Sequence, residues 1–512
     1  MLPAVLLAAV YLIWAPPSAD LAAQTFRTEL FEAHGFQAFS TSWYGGIHLP
    51  GYSLLFPPLA SVLGVRLVGA LAAIAAAVLF ARIVVPRYGE RARLAVLLFG
   101  LGSATNLFTG RLTFALGVAI ALGAVLALDR GRPAWAGALA VLSAAASPVA
   151  ALFLGFAGGV LFLRGSRREG LSLALPALVA IGIVALGFPT GGVHPFVANT
   201  FALIAIATVI LVVLLPPQER TLRLGAALYL AFCLAVALVN SPIGGNATRL
   251  GALMAAPLFA LGAWGRRPAW LVALALAPLL YWQWVAPIRD LTDAVGEPSV
   301  EASYYTPLLA ELARAAPHEP FRVQVPPTRN RWEAVHVAEA YPLARGWLRQ
   351  LESDDFGLFQ DGNLSAQAYR EWLDERGVAF VAVSLGAKPD YLSRDEIDLI
   401  HGGLPYLNAV WSDENWELYE VRKPAPLVDK AARITALTPT GFDLDAPDPG
   451  RYEVRVRFSP YFQVVSGAAC VSASGDWTEV ELAAPGAVRI EARLSLTGLV
   501  RAIRGAGGQC SS

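Results

Sequence analysis

The stretch 93–132, RLAVLLFGLGSATNLFTGRLTFALGVAIALGAVLALDRGR, decides the class of this protein. Two apolar runs, 93–104 and 112–128, are joined by a loop with one arginine, Arg111. They are flanked by loops with several: Arg91 and Arg93 before, Arg130 and Arg132 after. The same punctuation recurs outward in both directions. Apolar stretches fall at 2–15, 51–85, 133–147, 148–163, 171–188, 197–215, 222–240, 248–264 and 268–287. A bilayer crossing needs about 20 apolar residues, so the shorter stretches are tilted or re-entrant. We expect eleven crossings, within one or two. With 512 residues, 56% of them hydrophobic and 15% charged, the chain is too apolar for a soluble enzyme. A mean hydropathy of +0.52 agrees. The fold class expected is a polytopic α-helical membrane protein.

Arginine bias sets the expected topology. Arg82, Arg87, Arg91 and Arg93 share one loop; Arg130 and Arg132, then Arg164, Arg167 and Arg168, then Arg220 and Arg223, then Arg266 and Arg267 follow on the same side. By the positive-inside rule these loops face the cytoplasm. The opposite loops carry only Arg27, Arg111 and Arg249, which puts residues 16–50 and everything after about 288 outside. Carboxylates follow the same asymmetry: between residues 51 and 288 they are Glu90, Asp129, Glu169 and Glu219, each in an arginine-bearing loop. The segment 1–15 lacks the basic start of a signal peptide and reads as a first membrane helix. The expected location is the plasma membrane, with multiple passes. Net charge is zero, so nothing suggests nucleic-acid binding. Cys233 lies in an apolar stretch, whereas Cys470 and Cys510 lie in the outer tail, where a disulfide can persist. No cysteine or histidine spacing suggests a metal site.

Composition changes abruptly after Trp284, where histidines, carboxylates and all three lysines appear. This divides the chain into a membrane domain, 1–288, an extracytoplasmic α/β domain, 289–425, and a C-terminal β-sandwich, 426–512. In the middle part, helical stretches such as SAQAYREWLDERG alternate with short β-rich runs such as VAFVAVS. In the last part GRYEVRVRF alternates strictly, with Tyr452, Val454, Val456 and Phe458 on one face and Arg451, Glu453, Arg455 and Arg457 on the other. That is a strand with one wet face.

The loop 16–50 concentrates reactive groups: Asp20, Gln24, Arg27, Glu29, Glu32, His34, Trp43, Tyr44 and His48. Asp20, Gln24 and Arg27 are spaced to share a helical face, from which Glu29 and Glu32 turn away. An interfacial amphipathic helix with aromatic anchors would show the same residues without any chemistry. Because all the outer carboxylates of the membrane half gather here, a functional site is the reading we carry forward.

The pieces SADLAAQTFR, SWYGGIHLPGYSLLFPPL, TGRLTFALG, SPVAALFLG and GGNATRLGAL together resemble the GT-C class of membrane glycosyltransferases, which use lipid-phosphate-linked sugars. The tail pieces PLARGWLRQL, YREWLDERGVAFVAVS and WELYEV resemble large actinobacterial membrane proteins related to that class. The resemblance implies a catalytic acid in the first outer loop, matched by Asp20, with Glu29 in reserve. It implies a polyprenyl-phosphate sugar as donor, a cell-envelope glycan or lipid as acceptor, the bilayer as surroundings, and a divalent metal as a cofactor to consider. The DxD pair of some members is absent from this loop. Candidate substrate-binding residues are Gln24, Arg27, Trp43, Tyr44, His48, Tyr52, Arg111, His194, Asn246 and Arg249, with Asn106 beside them. Two other readings stay open: a lipid or glycan flippase or transporter, and a non-catalytic envelope protein that binds glycan. The membrane half places no carboxylate at mid-depth, which argues against proton coupling.

Overall fold

The computed structural model describes all residues except 190, 195, 197, 318, 360–362, 430, 506, 509, 511 and 512. The chain divides into two compact units, each discontinuous in sequence. One comprises Met1–Gln24, Tyr52–Ile183 and Gly191–Val295; the other comprises Thr25–Gly51, Val184–Thr190 and Gly296–Ser512.

The first unit is built on helices. They are α1 (Leu2–Trp14), the start of α2 (Ala19–His34), α3 (Phe56–Leu63), α4 (Val65–Tyr88), α5 (Ala92–Phe108), α6 (Leu112–Asp129), α7 (Pro133–Ala146), α8 (Pro148–Leu163), α9 (Arg167–Gly187), α10 (Ala198–Leu214), α11 (Arg220–Leu238), α12 (Thr248–Ala263) and α13 (Ala269–Ala294). Each expected apolar stretch forms one helix, except 51–85, which forms two, α3 and α4, broken at Gly64. Among the described residues, five helical segments are long and apolar enough to span, or six if α1 and α2, bent by 72°, count as one; the segment 65–108 holds both α4 and α5, and α7, α8 and α10 are apolar but shorter. Pro133 and Pro148 open α7 and α8, and Ser147 between them is extended and accepts the Ala150 amide at 3.4 Å, so the stretches expected at 133–147 and 148–163 form separate helices of 14 and 16 residues. Small residues bring the helices close. A Cβ on Gly69 would lie 2.7 Å from Leu112, and one on Gly117 2.7 Å from Ala150. Phe80 stacks on Phe99 at 4.2 Å within this alanine-rich core. Acids of the arginine-rich loops find arginine partners there: Asp129 pairs with Arg87 at 2.7 Å and Glu219 with Arg266.

In the second unit a short ribbon, β1 (Phe39–Ser40) with β2 (Ile47–His48), follows α2. Helix α14 (Ala302–Ala315) leads to β3 (Arg322–Gln324), then come α15 (Glu333–His336), α16 (Phe356–Phe359), α17 (Ala366–Glu375), β4 (Val378–Ser384), α18 (Arg394–His401), β5 (Leu407–Ser412) and β6 (Trp416–Val421). These strands form a sheet in the order β3-β4-β6-β5, parallel at β3–β4 and antiparallel elsewhere. Two further sheets follow, β10-β13-β8-β7 and β11-β12-β9. Their strands are β7 (Arg433–Thr438), β8 (Gly441–Ala446), β9 (Gly450–Arg457), β10 (Phe462–Ser466), β11 (Ala469–Ser474), β12 (Trp477–Leu482) and β13 (Gly486–Ala492); α19 (Leu496–Arg504) closes the sequence of elements. The two sheets share one core of Ile434, Leu444, Ile490, Val454, Val456, Val471 and Val480, which makes them a sandwich. The alternation along β9 holds: Tyr452, Val454 and Val456 are buried, Arg451 is exposed. Cys470 and Cys510 are bonded to each other, and Cys233 is free and buried.

Candidate functional site

In the first unit the turn between α5 and α6 sets the site. Thr109, Gly110 and Arg111 reverse the chain, with Gly110 at φ +72°. A Cβ there would meet the Leu21 amide nitrogen at 2.4 Å and the Ser18 hydroxyl at 2.5 Å, so only glycine lets this turn lie on the first turn of α2. The close approach delivers Arg111, the N-cap residue of α6, to Asp20: Arg111 Nε donates to Asp20 Oδ2 at 3.1 Å. Arg249, in the first turn of α12, stands 3.8 Å from the same oxygen, its guanidinium 5.6 Å from the Phe114 ring. Gln24, one turn beyond Asp20, donates to the Tyr52 hydroxyl at 2.8 Å. Tyr52 interacts electrostatically with both arginines, and Arg111 interacts with a second carboxylate, Asp290 of α13.

Asp290 reaches the cluster for a geometric reason. Helices α12 and α13 are consecutive and joined by a short loop, so they run antiparallel. Gln283 donates to the Leu253 carbonyl at 3.3 Å, and the Trp282 ring fills the space at Gly251. Two turns further along α13 is Asp290; the matching step back from Leu253 reaches Asn246, in the turn before α12 and three residues from Arg249. Three helix N-termini, those of α2, α6 and α12, therefore bring their positive ends and two arginines to one place, with two carboxylates in attendance. Such a set binds an anion. Arg111 and Asp20 keep 29% and 21% of their side-chain surface exposed, so solvent reaches the pair.

A resident divalent ion does not fit this donor set. Asp20 Oδ2 faces two guanidiniums, which compete with a cation for the same lone pairs. Among the described residues, three potential metal ligands lie close together only at Cys470, Glu481 and Cys510, and those cysteines are bonded to each other.

Expected site residues fall into distinct groups. Asp20, Gln24, Tyr52, Arg111 and Arg249 come together in the first unit. His194 is bound through its backbone amide to Ser241 at 3.0 Å, and its carbonyl packs on Gly244; Asn246 sits in the single turn preceding α12. Asn106, buried, caps the α5–α6 turn through its carbonyl, which accepts the Arg111 amide at 2.9 Å.

Trp43, Tyr44 and His48 belong to the second unit, where each is buried with its polar atoms bonded within that unit. Trp43 is fully buried, stacks on Phe26 at 4.1 Å and donates to the Ala334 carbonyl; Arg27 lies over its ring at 5.4 Å. The Tyr44 hydroxyl donates to the Gly346 and Leu348 carbonyls. His48 bonds the Pro189 carbonyl at 2.7 Å and the Ser459 hydroxyl at 3.1 Å, and burial lowers its pKa to about 4, so the ring is neutral. Partial desolvation, then the like charges of Glu339 and Glu32, raise the Glu29 carboxyl to about 7, although much of its surface stays open to solvent. The groups acting on Glu29 are carboxylates, whereas Asp20 meets arginines.

Sequence reasoning missed Asp290, assigned to the soluble part because it follows the change in composition. A signal was present: the helical pattern of α13 runs on to Ala294.

No family model matches the sequence, and no curated protein matches it. Nine solved chains do. The arabinofuranosyltransferase AftD from Mycobacteria is 16% identical, with a TM-score of 0.45 over 87% of this chain and 41% of that one. The Archaeoglobus fulgidus oligosaccharyltransferase tethered to an acceptor peptide is 11% identical, with a TM-score of 0.41 over 72% of this chain and 65% of that one. The archaeal oligosaccharyltransferase AglB from Archaeoglobus fulgidus, in complex with an inhibitory peptide and a dolichol-phosphate, is 12% identical, with a TM-score of 0.40 over 72% of this chain and 66% of that one. This chain thus spans less than half the length of the arabinofuranosyltransferase.

Proposed function

We propose that the Asp20 cluster is the reacting centre of a membrane glycosyltransferase that takes a sugar from a polyprenyl phosphate and gives it to a cell-envelope glycan or lipid. The observation that carries this reading is one carboxylate oxygen, Asp20 Oδ2, shared by Arg111 and Arg249 where three helix N-termini meet. In transfer, an acceptor hydroxyl oxygen bonds to the anomeric carbon as the bond from that carbon to the phosphate oxygen breaks. The hydroxyl proton passes to a carboxylate, and the phosphate departs as an anion. Donor phosphate competes with Asp20 for the two guanidiniums. Once they turn to the phosphate, Asp20 is released to accept the proton, and the arginines already face the charge that develops. Asp290 keeps the cluster balanced while this exchange occurs. Gln24 and Tyr52 orient the acceptor, and no step is routed through a metal.

The arginine bias of the loops supports a multi-pass plasma-membrane protein whose later domains lie outside. A cysteine in place of exposed Glu414 should then react with an impermeant thiol reagent on intact cells, and one in place of Ser166 should not.

The decisive test is transfer itself: full-length protein in nanodiscs, a radiolabelled polyprenyl-phosphate sugar, and envelope glycan fragments as acceptors. Label on the acceptor, dependent on Asp20, is the expected outcome. Acceptor binding without transfer, at every donor tried, would turn the reading into that of a glycan-binding protein.

A further inference from the structure

Helix α19 carries an apolar stripe that the protein does not cover. At 100° per residue its nine positions sort into three faces. Gly498 and Leu499 face the sandwich: a Cβ on Gly498 would meet Tyr461 at 2.6 Å, and Leu499 packs against the sandwich core. Leu496, Val500 and Ile503 form a second face and are 82%, 46% and 44% exposed, with Leu494 just before them at 52%. Thr497, Arg501 and Arg504 form the third, basic face; the helix contains no acidic residue. Its place is fixed: Ser495 caps it by accepting the Gly498 amide at 3.0 Å, and the segment after it is tied down where Cys510 is bonded to Cys470.

What this stripe faces follows from its neighbour. A Cβ on Gly187 would lie 2.5 Å from Leu499 Cδ1, so α19 abuts the last residue of α9. The Tyr461 hydroxyl donates to the Gly187 carbonyl at 2.7 Å and Phe188 stacks on Tyr461 at 5.2 Å, which fixes that end of α9 to the same sandwich. Helix α9 is long and apolar enough to span a membrane. Its 21 residues rise about 31 Å, roughly one hydrocarbon thickness. Its arginines, Arg167 and Arg168, mark one bilayer face, so Gly187 marks the other. A helix resting on Gly187 is at headgroup depth.

We propose that α19 is an interfacial anchor. Leu496, Val500 and Ile503 enter the boundary between headgroups and acyl chains, and Arg501 and Arg504 engage the phosphates of anionic lipid. The occupant of the stripe is the bilayer surface, because the stripe lies beside the end of a membrane helix and is edged with positive charge. The assignment stands on the membrane character of the chain and does not depend on the catalytic reading.

Its test uses the full chain in nanodiscs, with Cys233→Ala and one introduced cysteine bearing an environment-sensitive fluorophore, at Val500 on the apolar face or Thr497 on the basic face. Mass spectrometry first verifies the Cys470–Cys510 bond. In phosphatidylglycerol-containing discs, the Val500 label should emit to the blue of the Thr497 label and be quenched by a lipid spin-labelled near the head of its acyl chain. In phosphatidylcholine alone the quenching should weaken; equal quenching in both lipids would remove the role given to the arginines. A water-like, unquenched Val500 label overturns the proposal. So does a label shielded from water that no spin-labelled lipid quenches, since a second copy or another protein would then cover the stripe.

Discussion

Two arginine–carboxylate clusters in this molecule use the same chemistry in opposite ways. In the α/β part, Arg331 forks onto Glu352 at 2.9 and 3.0 Å and approaches Asp390, and Arg345 pairs with Glu396, which also accepts from Tyr369 and Gln324 at 2.8 Å each. Those arginine, glutamate and aspartate side chains are at most 2% exposed. In the membrane part, Asp20 is 21% exposed, and its second arginine stands off at 3.8 Å. A fully buried charge network is costly to break. A half-open one with a long contact can exchange a partner, as a site that takes up a phosphate must.

The largest effect that would separate the two is on transfer. Asp20→Asn should lower sugar transfer by about 10² to 10⁴, the range for loss of a general base, and cost about 1 kcal/mol or less in stability. Full activity with Asn at this position would remove Asp20 from the chemistry. The mirror experiment is Glu396→Ala, which leaves Arg345 charged and buried. It should destabilise the tail by about 3–5 kcal/mol, seen as a lower urea midpoint of tail unfolding. An unchanged midpoint would erase the contrast between the clusters. Next comes Arg111→Gln, which removes one phosphate-facing donor and should lower kcat by about 10² to 10³. A loss confined to KM would move Arg111 from stabilising the departing phosphate to simple donor binding.

The smallest effect is on pH dependence. Glu333 is buried, accepts from the Thr328 amide at 3.2 Å and its hydroxyl at 2.6 Å, and burial raises its carboxyl from 4.5 to about 7. The folded state holds this proton more tightly than the unfolded one. Its contribution is therefore full below about pH 4.5 and is lost as pH rises toward about 7. Urea midpoints measured across that window should fall less steeply for Glu333→Gln than for the native chain; parallel curves would assign the slope to other groups.

Much of the membrane half was legible in the sequence, because hydrophobic runs and arginine bias are local properties. Every apolar stretch became helical, and Asp20, Arg111 and Arg249 stood out since so few charges lie on that side. What was not legible required partners distant in sequence. Trp43, Tyr44 and His48 read as ligand contacts because aromatic and imidazole groups in a loop look available. Only the fold shows their polar atoms bound to Ala334, Gly346, Pro189 and Ser459. The pairings of Arg331 and Arg345 leave no periodic trace at all.

The absent side chain at Gly110 also bears on how the protein is made. Asp20 and Arg111 are 91 residues apart, and Arg249 and Asp290 come later still. Contacts of such separation close late, and chains emerge from the ribosome starting at the N-terminus. A nascent chain inserted only as far as α5 would carry Asp20 without its cations, and one reaching α6 would hold a single arginine against it. The anion site gains its second arginine and third helix N-terminus only with α12, and its second carboxylate only with α13, so a chain that stops before α12 has just part of the site with which to hold a lipid phosphate.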